Sequence, residues 1–139
     1  MKRCGRLRHR SKTNSHSGED LLFRREYAEE NLECELGRWF PNQFSREDST
    51  ECHHIMTGRR DLRTNLLMVC RDAHAWCEEF KADGRVLALF VKHSKGELDL
   101  QEFRLASGFH LPGWLLMSES KIRHDFVRPF LNALIELYP

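Results

Sequence analysis

The residues best suited to chemistry lie between positions 53 and 78: adjacent histidines at His53 and His54, then Asn65, His74 and Glu78. A neutral imidazole ligates divalent ions, and it also titrates near neutral pH, so one residue type can serve as metal ligand or as general base. Neighbouring side chains on a strand point to opposite faces. His53 and His54 are therefore not equivalent ligands of one ion, and one can bind metal while the other acts as a base. On a helix, His74 and Glu78 stand four residues apart and share a face. With one strand histidine they make two imidazoles and a carboxylate, leaving coordination positions for water or a substrate phosphate. An open set of that kind suits hydrolysis.

Such a set works only if local structure delivers it to one place. Residues 51–56 read as a strand that ends at Thr57-Gly58, and residues 58–64 as a basic loop carrying Arg59, Arg60 and Arg63. The apolar run Leu66-Leu67-Met68-Val69 is short and contains a β-branched residue, which favours a second strand over 66–70. Residues 71–82 suit a helix, with Asp72 near its start and Asp83-Gly84 as its stop. The order is strand, loop, strand, helix.

The flanks are less informative. Residues 1–19 form a basic flexible arm, in which Lys2, Arg3, Arg6, Arg8, Arg10 and Lys12 occur without an acid, a pattern suited to a phosphate backbone or to a solvated tail. Residues 20–139 form a single domain, its motif core at 51–82. A helix is expected over 20–31, and a hairpin or loop over 32–44, where Gly37 and Pro41 break regularity and Trp39, Phe40 and Phe44 anchor it. Residues 85–92 fit a strand or the middle of a helix, and 98–106 a helix closed by Gly108. Within a helical extension over 97–139, an amphipathic C-terminal helix spans 119–138. Ile122, Phe126, Phe130, Leu134 and Leu137 share its face, Pro129 kinks it, and it packs on the domain or makes a homodimer.

No apolar stretch is long enough for a membrane span and no secretory signal is present, so the expected compartment is the cytoplasm, with no membrane partner. Five cysteines, Cys4, Cys34, Cys52, Cys70 and Cys77, form an odd set without a C-x-x-C pair, which fits reduced thiols. A net charge of +1 gives no general case for nucleic acid.

Taken jointly, Cys52-His53-His54-Ile55, Asn65-Leu66-Leu67 and Cys70-Arg71-Asp72-Ala73-His74, followed by Trp76, resemble the HNH endonucleases. The resemblance covers residues 32–82 at most. It implies an α+β fold, a small ββα-metal (HNH-like) core with flanking helices, and a metal-dependent endonuclease that hydrolyses DNA phosphodiester bonds. On this resemblance His54 is the general base that activates water, and Asn65 holds the loop and base in place. His53 and His74 are metal ligands, with Glu78 standing where many members have a further histidine. Arg59, Arg60 and Arg63 would clamp nucleic-acid phosphates. One divalent ion is implied; a carboxylate ligand suits Mg²⁺ or Mn²⁺, with Zn²⁺ or Ni²⁺ as alternatives.

The chain departs from the family where many relatives hold a structural zinc with two C-x-x-C pairs. Gly37 follows Cys34, and Ala73 follows Cys70, where second cysteines would stand, so structural zinc is expected to be absent. That loss motivates an alternative: a degenerate HNH domain that binds nucleic acid or a protein partner without catalysis. A closed zinc shell of Cys52, His53, Cys70 and His74 ranks third, because it leaves His54 and Asn65 without a role.

Overall fold

A computed structural model of the chain describes residues 18–57 and 60–139. The basic arm expected over 1–19 lies outside these residues except for its last two, which belong to the first helix. Among the described residues the fold is mixed α+β. Its elements run α1 (Gly18–Glu30), α2 (Glu35–Trp39), β1 (Glu51–His54), β2 (Leu66–Val69), α3 (Arg71–Glu79), α4 (Lys81–Ser94), α5 (Leu100–Ser107), α6 (Leu111–Ser118) and α7 (Arg128–Leu137). No described helix is long and apolar enough to cross a membrane.

The central order of strand, loop, strand and helix is as expected, with β1 two residues shorter and β2 one. The strands pair antiparallel: Thr50 N–H donates to the Val69 carbonyl at 3.0 Å, and Ile55 N–H to the Asn65 carbonyl at 2.9 Å. β2 is buried along its whole length, which is why its sequence is apolar without alternation.

The chain divides into two units, one containing residues up to His53 together with Leu67–His74, the other His54–Leu66 together with Ala75–Pro139. In the first, a short helix, α2, occupies the stretch expected to be a hairpin or loop. Its Glu35 is buried and accepts hydrogen bonds from the Tyr27 hydroxyl at 2.7 Å and Met68 N–H at 2.8 Å, tying α1 and β2 to one carboxylate. Gly37 has a specific reason to be glycine, since a Cβ there would lie 1.9 Å from the Ser45 carbonyl oxygen. No cysteine fits at that position.

In the second unit, α4 supplies the core with Val86, Leu87, Leu89 and Val91, and Phe103, Leu111, Leu115, Val127, Leu131 and Leu134 are buried with them. The ambiguous run 85–92 is helix, apolar on several faces because burial surrounds it. Asp83 and Gly84 do not stop a helix as expected; α3 ends at Glu79, and α4 runs through both. The buried Asp83 carboxylate accepts the backbone N–H groups of Arg123 and His124, the latter at 2.8 Å. A Cβ on Gly84 would come within 3.0 Å of Cys77, so this glycine lets α4 approach α3.

The C-terminal segment also differs from the single kinked helix expected over 119–138. Two 3₁₀ turns, Glu119–Lys121 and Asp125–Val127, precede α7. Pro129 sits in the first turn of α7, where its missing N–H costs no hydrogen bond. Leu131 and Leu134 are buried where α7 meets α4 and α6, so the helix packs on its own chain.

A polar knot fixes the turn before β2. The Thr64 hydroxyl donates to the Glu97 carbonyl at 2.7 Å and accepts Asp99 N–H at 2.9 Å, while Thr64 N–H donates to the Glu102 carboxylate at 3.0 Å. Beneath it lies Lys92, with no side-chain exposure, whose Nζ donates to Glu97 Oε1 at 2.9 Å.

Candidate metal centre

His53, buried on β1, His74, half-buried on α3, and Glu78, exposed one turn further along α3, bring their ligand atoms within 4.8 Å of one another. The trio could hold a metal ion. The spacing of His74 and Glu78 does this on the helix side, and β1 brings in His53, whose ring centroid lies 5.0 Å from that of His74. Two imidazole nitrogens and a carboxylate oxygen are a donor set compatible with several divalent ions, and three ligands leave the coordination shell open. Among the described residues no cysteine joins such a group, so the Cys52, His53, Cys70, His74 shell is not assembled.

Glu51 completes the geometry around His74, and sequence reading missed it. Its Oε1 lies 2.5 Å from His74 Nδ1. A carboxylate only accepts, so the proton sits on Nδ1 and Nε2 keeps the lone pair that a metal needs. The available signal was the strand period, because Glu51 and His53 are two apart on β1 and share a face.

The adjacent histidine has different surroundings. His54 Nε2 lies 2.8 Å from Oδ1 of Asp61, whose carboxylate is fully buried. Because that carboxylate only accepts, the proton sits on Nε2, and among the described residues nothing hydrogen-bonds His54 Nδ1. Alternation on β1 has given the two histidines separate partners. Asp61 has no distinguishing signal in the sequence, being a lone acid in an otherwise basic loop.

Asn65 is buried and acts as a clamp. Its Oδ1 accepts Met56 N–H at 2.7 Å, and its Nδ2 donates to the Arg60 carbonyl at 3.0 Å, so one amide side chain grips both sides of the loop that leaves β1. The expected phosphate clamps fare differently. Arg59 lies outside the described residues, and Arg60 is exposed. Arg63 is drawn to Glu97, with Nη1 3.3 Å from Oε2. Arg85, on α4, donates from Nε to the Ile55 carbonyl at 3.1 Å; burial lowers its pKa, against an opposing pull from the Glu78 carboxylate.

Cys34 and Cys70 keep the first position of each C-x-x-C pattern. Cys34 Sγ accepts Gly37 N–H at 3.4 Å, and Cys70 has a backbone hydrogen bond from Ala73 together with a thiol contact to Cys34. Burial, reinforced by Cys34, pushes the Cys70 thiol up to about 11, so it stays protonated near neutral pH. Both are buried small side chains.

Compared with known proteins, the chain matches no family model, no curated protein and no solved structure.

Proposed function

We propose that the protein is a metal-dependent endonuclease with an HNH-like ββα-metal core, hydrolysing DNA phosphodiester bonds. The observation that carries this reading is the division of labour on β1. His53 joins a three-ligand set with His74 and Glu78, while the very next residue, His54, has Nε2 held by a buried carboxylate and Nδ1 ready to accept a proton.

A divalent ion held by His53, His74 and Glu78 would supply positive charge to a phosphate oxygen and the leaving oxygen. Mg²⁺ or Mn²⁺ suits a set that includes a carboxylate. The chain's own residues do the rest. His54 Nδ1 takes a proton from the attacking water, whose oxygen bonds to phosphorus as the bond to the leaving oxygen breaks. Asp61 stabilises the resulting imidazolium and fixes the ring, and Asn65 holds the loop on which Asp61 sits. Glu51 keeps His74 in its metal-binding tautomer.

The test is conversion of supercoiled plasmid to nicked or linear DNA by the full chain in Mg²⁺, Mn²⁺, Ni²⁺ or Zn²⁺, beside His54→Ala. Cleavage that needs the ion and is lost in the variant supports the reading. Salt-sensitive DNA binding without cleavage in any ion would favour the non-catalytic alternative instead.

A further inference from the structure

We infer that Arg85 is an anion-binding residue whose guanidinium hydrogen-bonds a phosphate group close to Glu78. Three observations on α3, α4 and the end of β1 support it. First, the Arg85 guanidinium is anchored, because Nε donates to the carbonyl of Ile55, the residue immediately after His54. Second, that single bond uses one of five N–H donors; among the described residues neither Nη1 nor Nη2 has a hydrogen bond or ion pair. Third, the Glu78 carboxylate, which belongs to the candidate metal trio, opposes the effect of burial on this guanidinium.

The half-buried Arg85 guanidinium keeps its Nη1/Nη2 edge available to a ligand. The anchor at Nε takes away much of the side-chain freedom that binding would otherwise have to restrict, and the Nη1/Nη2 edge presents the paired donors that match two oxygens of a phosphate. Glu78, although paired with Lys81 Nζ at 3.0 Å, would still repel that phosphate. A divalent ion held by the trio would offset that charge and add a second cationic partner for the anion. This assignment rests on the nuclease reading for the identity of the anion, a nucleic-acid phosphodiester, but the site itself is a claim about phosphate recognition.

Arg85→Gln is the informative substitution, since its side-chain amide can still donate to the Ile55 carbonyl while the charge and fork are lost; Arg85→Lys keeps the charge without the fork. Inorganic phosphate is titrated into the full chain, with Mg²⁺ and with EDTA, while the arginine Nε–H resonances are followed by NMR and thermal melts confirm folding. We expect phosphate to shift the Arg85 resonance more in Mg²⁺ than in EDTA. Shifts elsewhere around the site should need at least tenfold more phosphate in Arg85→Gln, with Arg85→Lys intermediate. An unmoved Arg85 resonance, or equal phosphate affinity in wild type and Arg85→Gln, overturns the assignment. Plasmid cleavage run in parallel separates the two claims: phosphate binding at Arg85 without cleavage keeps the anion site and removes the nuclease, whereas cleavage indifferent to Arg85→Gln does the reverse.

Discussion

Replacing Glu97 by Gln should destabilise the fold far more than replacing Lys92 by Met, although the two residues form one ion pair. Lys92 has no exposed side-chain surface, and its Nζ lies 2.9 Å from Glu97 Oε1. Removing the carboxylate charge takes an anionic partner away from an ammonium in the core, a change that typically costs about 3–5 kcal/mol. At roughly 3–5 °C per kcal/mol for a domain of this size, the melting temperature should fall by about 10–20 °C. Lys92→Met removes the buried charge itself. Glu97 then keeps Lys95 at 3.4 Å and Arg63 at 3.3 Å, so a loss of about 1–2 kcal/mol is expected, since removing the buried charge leaves none unpaired.

The pH dependence follows from the same pair. Burial raises the Glu97 pKa, but Lys92 and Lys95 outweigh it and the net shift is downward. The stabilisation is therefore fully present above the unfolded carboxylate value of about 4.3 and is lost as pH falls through the lower folded value. Urea melts of wild type and both variants between neutral and acid pH measure this. Glu97→Gln should flatten the acid limb. A Glu97→Gln protein within about 1 kcal/mol of wild type, or a Lys92→Met protein less stable than Glu97→Gln, would refute this account of the buried pair.

Further outcomes are expected at the site. Asn65→Ala should cost about 1–3 kcal/mol in a denaturant melt, because buried Met56 N–H loses its acceptor, and it should lower cleavage beyond what stability explains by releasing the loop that carries Asp61. Glu51→Gln should weaken metal binding by about 10–100-fold in calorimetry, with the fold unchanged; unchanged affinity would dismiss its role on His74. Cys70 should resist alkylation at neutral pH and react only after unfolding, since burial holds its thiol near 11; quick labelling of the native chain would contradict that.

Much of the hairpin and helix was legible because their signals are local. The short apolar run of β2 and the four-residue spacing of His74 and Glu78 each identify an element without knowledge of its neighbours. Where local rules failed, tertiary contact had decided the outcome. Asp83-Gly84 has the composition of a helix stop, yet Asp83 holds a distant turn and Gly84 admits Cys77 at close range. Pro129 marks the beginning of α7 because the residues before it had already turned as 3₁₀ helix. At the site, the three residues that could hold an ion were visible in the sequence, whereas their hydrogen-bonding neighbours were harder to see. Glu51 was detectable from strand alternation, whereas Asp61 and Arg85 gain their meaning only from the partners that folding gives them.

The central claim is that His53, His74 and Glu78 hold an ion while His54 serves as the base. Its most direct test is single-turnover cleavage of supercoiled DNA by wild type and His54→Ala at saturating Mn²⁺, with ion binding measured on both. The account predicts unchanged Mn²⁺ affinity and a cleavage rate lower by at least about 10²-fold in the variant, the usual minimum for losing a general base. Cleavage that persists at the wild-type rate in His54→Ala, or that proceeds in EDTA, would contradict it.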